Sequence, residues 1–441
     1  MSEKLPFTRR EFLQSSLALM STLGTMPGFL AHASAAANDP AALLNPASVT
    51  EGRVLVVIQL SGGNDGLNTV IPAAMPEYYK LRSGLAVQQR DVLQLDDRSG
   101  IGLHPNMRAT QEMFQDGQAT IIQGVGYPNP NRSHFASMDV WHAGDTRAAD
   151  GHRGIGWIGK AFDAQQARSR NDDQSLHCIT VGEETPMATV GEQAKPVAFS
   201  RAELFEWSGK GLHPKLRNTY DRLHNTPIPN PADTMAAMTT PARATGIGGA
   251  ADFVFRTALD ARAAPTQVRK AVSRDSETQF PNSGLSRQLR AVASMIAAEL
   301  PTRIYYVALG GFDTHANQAN THARLLEQFS QAVQAFYREL AAIGQDQRVL
   351  TMAFSEFGRR VDTNGSNGTD HGAAGPLFLF GPPARAGLVG PHPSLQDLDR
   401  GDLKFNIDFR SVYATLLDDW LGLDSRAALG KRFRTLPVLD T

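Results

Sequence analysis

The chain has 441 residues, of which 41% are hydrophobic and 20% charged, and its formal net charge is −1. This composition is typical of a globular protein with one large α/β domain or two smaller ones, and it speaks against nucleic acid or an anionic membrane surface as the partner. The single cysteine, Cys178, excludes an internal disulfide.

The first 37 residues have the three parts of an export signal: a polar start, a moderately apolar middle and a small-residue end. Residues 8–13, TRREFL, resemble the twin-arginine signal. Glycines and a proline interrupt the apolar middle, which is too short to span a membrane. We expect cleavage between Ala36 and Asp39, and a periplasmic or secreted protein that contacts the twin-arginine translocase during export. The alternative is a chance arginine pair on an amphipathic helix.

In the first part of the mature chain, strands are predicted at 53–60, RVLVVIQL, and at 119–126. Such continuous apolar runs are typical of strands buried on both faces of a mainly parallel sheet. The first strand ends in a glycine-rich turn at 61–72. A helix is predicted over 108–117, and a polar loop, YPNPNRSHFASMDVW, over 127–141.

The middle of the chain has a different character. Residues 177–200 alternate short apolar runs with turns, and helical stretches are predicted at 202–209 and 286–300. The segment 225–249, rich in Pro, Ala, Thr and Gly, separates these stretches as a loop or linker. We therefore predict a helical insertion or cap at about 201–300, over one end of the sheet.

The last part returns to alternation of strands and helices. Strands are predicted at 303–311, 348–358 and 375–382, a long amphipathic helix at 321–344, and a final helix at 408–423. This alternation predicts right-handed crossovers and a mainly parallel, doubly wound sheet with helices on both faces.

Polar side chains border each of these strands. Any one of them could simply shape a turn or cap a helix, but their recurrence favours a shared site, because ligand sites of open parallel sheets lie beyond the carboxyl ends of the strands. The residues are Asn64 and Asp65, Ser133 and His134, Asp313 and His315, Ser355 and Glu356, and, ahead of the last strand, Asp370 and His371.

Carboxylates together with neutral imidazoles suit a divalent cation, zinc or manganese in the first place and calcium or iron as alternatives. Without a cation, the gathered carboxylates would repel one another. One or two ions could activate a serine or a water and hold phosphoryl oxygens. Arg132, Arg359 and Arg360 could steady an anionic substrate, although solvation at the surface explains them equally well.

Taken together, six segments resemble the domain-of-unknown-function 1501 family. That family is placed in the alkaline-phosphatase-like superfamily, with sulfatases and cofactor-independent phosphoglycerate mutases. The resemblance implies one alkaline-phosphatase-like α/β domain over residues 38–441. The segments, in chain order, are VVIQLSGGNDGLNTVIP, NRSHFASMDVW, GGFDTHANQ, FSEFGRRV, DHGAAGPLFLFG and DFRSVYATLLDDWLG.

The resemblance also implies roles for individual residues. Ser133 becomes the candidate nucleophile, with Ser137 a weaker one. The spacing between Asp313 and His315 is shorter than the superfamily usually has. The implied metal ligands are Asp65, Asp313, His315, Glu356 and His371, and the implied supporting or substrate-binding residues are Asn64, Arg132, His134, Arg359 and Asp370.

The clearest departure from the superfamily pattern is Glu356-Phe357, which stands where an Asp-His pair is usual. Because a phenyl ring cannot bind a metal, a single-metal enzyme, a weakened second site and a loss of catalysis all stay open. The sulfatase signature is missing at Ser133 and at Cys178, which disfavours sulfate esters.

Two functions are therefore expected. The first is an exported metal-dependent hydrolase, of phosphatase or phosphodiesterase type, acting on a small anionic ester. The alternative is a non-catalytic exported protein that binds a ligand or partner on the same fold, which Phe357 favours. A serine hydrolase without metal ranks third, because no Gly-x-Ser-x-Gly motif surrounds Ser133.

Overall fold

A computed structural model describes residues 52–150, 154–168, 177–200 and 268–440, apart from residues 97, 195, 269 and 275. The predicted export signal with its cleavage site and the predicted helix at 202–209 lie outside the described residues. Within the described ranges, no helix is both long and apolar enough to cross a bilayer.

The strands and helices of the described residues are numbered separately, each in chain order. The strands are β1 (Val54–Leu60), β2 (Val70–Ile71), β3 (Leu93–Gln94), β4 (Gly102–Leu103), β5 (Ala119–Gly126), β6 (Cys178–Val181), β7 (Val197–Phe199), β8 (Ile304–Leu309), β9 (Val349–Phe354), β10 (Gly375–Phe380), β11 (Gly387–Val389), β12 (Leu398–Asp399), β13 (Asp402–Leu403) and β14 (Ile407–Asp408). The helices are α1 (Gly66–Thr69), α2 (Pro76–Leu81), α3 (Arg108–Gln115), α4 (His134–Ala143), α5 (Trp157–Arg168), α6 (Gly284–Ala297), α7 (Gln318–Ala342), α8 (Phe409–Ala414, continued by wider turns over Thr415–Leu421) and α9 (Ser425–Leu429).

The main sheet has the strand order β11-β5-β10-β9-β1-β8-β6-β7, and β14 also pairs with β5. Strands β7, β6, β8, β1 and β9 run parallel to one another. The predicted α/β fold with a mainly parallel sheet is thus confirmed.

The core lies on both faces of this sheet, as the sequence of β1 requires. Alternate side chains of a strand point to opposite faces. Val56 and Ile58 pack into one hydrophobic layer, which includes α6 and α7, whereas Leu55 and Val57 pack into the other, which includes α4, α5 and α8. All four are fully buried, and each contributes about 1.5–3 kcal/mol of hydrophobic free energy.

Strand β10 is antiparallel to both of its neighbours, β9 and β5. Its register pairs Phe378 with Ala353 and Phe380 with Thr351. The amino end of β10 therefore lies at the same edge as the carboxyl ends of β1, β8 and β9. As a result, a turn that precedes β10 can share a site with turns that follow the other strands.

The structure corrects one prediction and extends another. The segment predicted as a polar loop over 127–141 contains the start of α4, which begins at His134. This helix lacks an amphipathic stripe, so the 3.6-residue period does not reveal it. The helix predicted at 286–300 is present as α6, which packs against α7 and β8, while residues 201–267 lie outside the described ranges.

Candidate metal centre

Three imidazoles converge on one carboxylate oxygen at the edge of the sheet described above. The Nε2 atoms of His134, His315 and His371 lie 3.3, 3.1 and 3.2 Å from Oδ1 of Asp313. The ligand atoms of His134, Asp313 and His371 all lie within 4.8 Å of one another. The structure thus brings together three of the predicted metal ligands with His134, which the sequence assigned only a supporting role.

Each of these imidazoles is held from behind through its Nδ1 atom. A carbonyl or carboxylate oxygen can only accept, so each Nδ1 carries the proton and leaves the Nε2 of a neutral ring as a lone pair. This is the arrangement that orients histidines in metal sites. The acceptors are Glu356 Oε1 for His134 at 2.8 Å, the Arg132 carbonyl for His371 at 2.7 Å and Asp370 Oδ1 for His315 at 3.3 Å.

Such converging lone pairs fit a cation between them. His315 Nε2 and His371 Nε2 are only 2.8 Å apart, and His134 Nε2 is buried without a hydrogen-bond partner. With Zn–N bonds of about 2.0–2.1 Å, the ligand atoms of a tetrahedral zinc ion lie about 3.3 Å apart. The distances from the three imidazoles to Asp313 match that spacing.

Arg359 fixes Asp313 from the protein side. Its guanidinium is fully buried and donates to Asp313 Oδ1 at 2.7 Å, and also to the carbonyls of Gly63 at 2.7 Å and Thr369 at 2.8 Å. Partial burial would raise the pKa of Asp313, but the hydrogen bond from Arg359 and its positive charge outweigh that effect and hold the pKa well below its usual range. Asp313 is therefore a carboxylate, as a metal ligand must be.

Glu356 lies behind His134 and is 1% exposed. Burial would raise its pKa, but the hydrogen bond with His134 and those from the amides of Gly62 and Gly63 lower it instead. In turn, the hydrogen bond to Glu356 raises the pKa of His134. The predicted ligand Glu356 thus lies one step away from the convergence point, as the group that orients His134.

Phe357 forms an apolar floor below the cluster. Its ring lies 4.9 Å from that of His134 and 4.8 Å from that of His371, measured between ring centroids. Phe357 therefore packs against two of the imidazoles. It also requires glycine at position 63, where a Cβ would lie 2.3 Å from the Phe357 ring.

The predicted ligand Asp65 is fully buried and engaged elsewhere. Arg82 donates to both carboxylate oxygens, at 2.5 and 2.9 Å, and Gln318 donates to one of them. Burial would raise the pKa of Asp65, but its interactions with Arg82 lower it. Gln318 also accepts from Thr314 and Thr369, so that Asp65 anchors the loops next to the cluster. The neighbouring Asn64 accepts from Thr69 and contacts His322.

The two serines named by the sequence differ in environment. Ser133 is exposed and immediately precedes α4, next to His134. Ser137 is buried, and its hydroxyl donates to the Glu356 carbonyl at 2.5 Å and pairs with Tyr127. Only Ser133 is accessible to a substrate.

The sequence did not indicate Arg82 or Gln318 as part of the site, because nothing in the residues around either of them identifies it as a hydrogen-bond donor to Asp65. His134 carried a signal, its place directly after Ser133, but its place in the cluster depends on the helix that begins there.

The chain belongs to the family described as protein of unknown function (DUF1501), whose model matches residues 53–429. A search of curated proteins gives no significant match. Similar solved structures include the zinc complex of the C-terminal periplasmic domain of EcEptC from Escherichia coli, with 9% identity and a TM-score of 0.37 over 84% of this chain and 83% of that one. Another is the PsFucS1 sulfatase from Pseudoalteromonas sp., with 9% identity and a TM-score of 0.38 over 87% and 70%. A third is the phosphonate monoester hydrolase of Agrobacterium radiobacter, with 9% identity and a TM-score of 0.33 over 86% and 78%. Similarity at this level does not extend to reaction or substrate.

Proposed function

We propose that this DUF1501 family member is an exported metal-dependent hydrolase acting on a small anionic ester. His134, Asp313 and His371 would hold one divalent cation, with His315 next to them. The observation that carries the proposal is the convergence of three Nε2 atoms on Asp313 Oδ1, each ring oriented through Nδ1. Its N-terminal signal would send the folded protein through the twin-arginine translocase to the periplasm or beyond.

The donor set supports zinc first. Imidazole nitrogens with one carboxylate suit zinc, whereas calcium prefers oxygen ligands alone. Manganese and iron are the alternatives. One ion is proposed rather than two, because Phe357 offers no ligand atom and both oxygens of Asp65 are bound by Arg82.

When bound, the cation would supply Lewis-acid polarisation of the ester. The protein's own residues would position the ester and provide the nucleophile. Ser133, exposed directly before α4, would attack the phosphorus and displace the alcohol, which takes up the hydroxyl proton, and a water would then hydrolyse the phosphoserine. Alternatively, a water would attack the phosphorus and displace the alcohol in one step. The first backbone amides of α4 have no acceptor inside the helix and favour an anion at this end. Arg359 and Glu356 do not reach the substrate; they hold Asp313 and His134 in place.

The proposal is tested by elemental analysis of the mature protein, purified after its own export without added metal or chelator. About one equivalent of metal is expected, together with turnover on a panel of phosphate mono- and diesters. The double variant Asp313→Asn/His371→Gln should lose both. His392→Gln, which alters an imidazole that is hydrogen-bonded to the Pro393 carbonyl, is the matched control. Turnover that persists in the metal-free double variant would refute the proposal.

The non-catalytic binding protein is kept as the second candidate, because Phe357 fills a position where the superfamily has a ligand. It predicts protein that folds normally and, with or without metal, hydrolyses no member of the panel.

A further inference from the structure

Asp402 joins two arginines beside the candidate metal centre. Its Oδ2 accepts from Nε of Arg132 at 2.8 Å and also from Nη2, and its Oδ1 lies 3.5 Å from Nε of Arg360. The carboxylate is 4% exposed, whereas the side chains of Arg132 and Arg360 are 40% and 35% exposed. One buried carboxylate thus serves two guanidinium groups that both reach solvent.

The hairpin formed by β12 and β13 is shaped to hold this pair. Arg400 and Gly401, at its turn, have φ angles of 54° and 87°, the positive values of the tight turn that favours glycine. The Arg400 carbonyl accepts from Nη2 of Arg360. A Cβ at position 401 would lie 3.2 Å from the same nitrogen, so glycine leaves room for the guanidinium.

The pair is incompletely satisfied. Arg360 Nε and Asp402 Oδ1 are both buried and face each other at 3.5 Å, as an ion pair without hydrogen-bond geometry. Since a single carboxylate faces two guanidinium groups, the side chains of Arg132, Arg360 and Asp402 together carry one net positive charge.

The backbones of both arginines contact residues of the candidate metal centre. The Arg132 carbonyl accepts from Nδ1 of His371 at 2.7 Å. The Arg360 amide donates to the Asp370 carbonyl at 3.0 Å, and Arg359 and His371 form a backbone bridge. Both arginines are therefore fixed to the strand-like segment that carries His371.

The charges of the metal centre itself balance. The three carboxylates Asp313, Glu356 and Asp370 carry three negative charges. The Arg359 guanidinium and, in the proposed function, one divalent cation carry three positive charges, and the imidazoles are neutral. The attraction for a further anionic group comes from the neighbouring arginines. A guanidinium matches carboxylate and phosphate oxygens in geometry as well as in charge.

We propose that Arg132 and Arg360, clamped by Asp402, form a subsite for a second anionic group of the substrate. This inference rests on the proposed function and narrows it. The substrate class is an ester whose scissile phosphate is joined by a short linker to a carboxylate or a further phosphate.

The test compares the binding of glycerol phosphate and phosphoglycerate, which differ by one carboxylate, to zinc-loaded protein by calorimetry. We expect phosphoglycerate to bind at least about tenfold more tightly. Arg132→Gln and Arg360→Gln should each remove most of that preference and leave the affinity for glycerol phosphate within about twofold. Arg385→Gln, at an exposed arginine paired with Asp440, should keep the preference.

Equal affinities in the unaltered protein, or a preference that survives in both glutamine variants, would overturn the subsite. If a glutamine variant does not fold, Arg360→Lys replaces it: the charge is kept, the guanidinium fork is lost, and an intermediate preference is expected, while an undiminished one overturns the subsite. Zinc stoichiometry is measured on the same samples. Failure to bind zinc, manganese or iron would overturn the proposed function itself, whereas metal binding without the preference would overturn only the subsite.

Discussion

Replacing Glu356 with glutamine tests whether a buried carboxylate tunes His134 as a metal ligand. His134 Nδ1 and the Gly62 amide both donate to Oε1, at 2.8 and 2.9 Å, and the Ser355 hydroxyl lies 3.0 Å from Oε2. A glutamine in the same position can still accept the first two bonds through its oxygen and donate to Ser355 through its nitrogen. The substitution therefore removes the charge and keeps the shape.

The expected loss is electrostatic. Removal of a partner that orients a metal-bound histidine typically weakens metal affinity by about 10–100-fold. Because the hydrogen bond itself survives in Glu356→Gln, we expect the lower end, about tenfold, or about 1.4 kcal/mol of binding free energy. Zinc affinity is measured by competition with a chromophoric chelator, and folding by circular dichroism.

The matched control is Glu339→Gln, at another buried glutamate, which accepts from the Ser276 hydroxyl at 2.8 Å on helix α7. It should bind zinc as the unaltered protein does. Zinc affinity within about twofold of the original in Glu356→Gln would refute the orienting role of Glu356. An equal loss in both variants would show that the effect is not specific to the site.

Three further predictions concern stability and catalysis. Gly62→Ala should destabilise the protein by about 3 kcal/mol or more, because its φ is +117° and a Cβ would lie 2.4 Å from a backbone nitrogen of the opposing loop. Gly117→Ala, at φ +78° with open space around it, should cost only about 1–2 kcal/mol. Urea denaturation measures both losses, and equal losses would contradict this account. Ser133→Ala should abolish turnover and leave zinc stoichiometry unchanged, whereas Ser137→Ala should lower the free energy of unfolding by about 1–2 kcal/mol; undiminished turnover in Ser133→Ala would assign the attack to water. Burial lowers the pKa of His322 to about 4. The unfolded chain therefore takes up the proton first, and His322 by itself should lower the free energy of unfolding by on the order of 3 kcal/mol as the pH drops from about 6.5 to about 4. His104 and His142, whose pKa values burial also lowers to about 4, add to the fall. Urea denaturation with chelator present measures this, and His322→Gln should flatten the dependence; an unaltered slope would contradict the assignment.

The sequence predicted the sheet well because its strands are local patterns. The order of apolar and polar residues predicts a buried strand at 53–60 and a long amphipathic helix at 321–344. The structure contains them as β1 and α7. The family resemblance depends on the same ordered motifs. Asp313, His315 and His371 were likewise recognisable as candidates, since polar groups beside buried strands stand out.

Other parts of the site depend on partners far away in the chain. Asp65 looks like a ligand in its own turn, and only the buried guanidinium of Arg82 shows that both of its oxygens are occupied. Glu356 likewise has a ligand's chemistry, but His134 stands between it and Asp313. Such competition between partners is decided by packing, which no local pattern encodes.

The direction of β10 is the clearest example of a feature that the sequence does not determine and the tertiary structure does. By itself the sequence determined that His371 precedes a buried strand, which in a wholly parallel sheet would place it at the edge opposite Asp313. Hydrophobic periodicity gives a strand's burial but not the direction of its neighbours, because antiparallel and parallel strands present the same alternation of side chains. Only the tertiary structure, by pairing β10 antiparallel to β9 and β5, turns His371 towards Asp313 and completes the candidate metal centre.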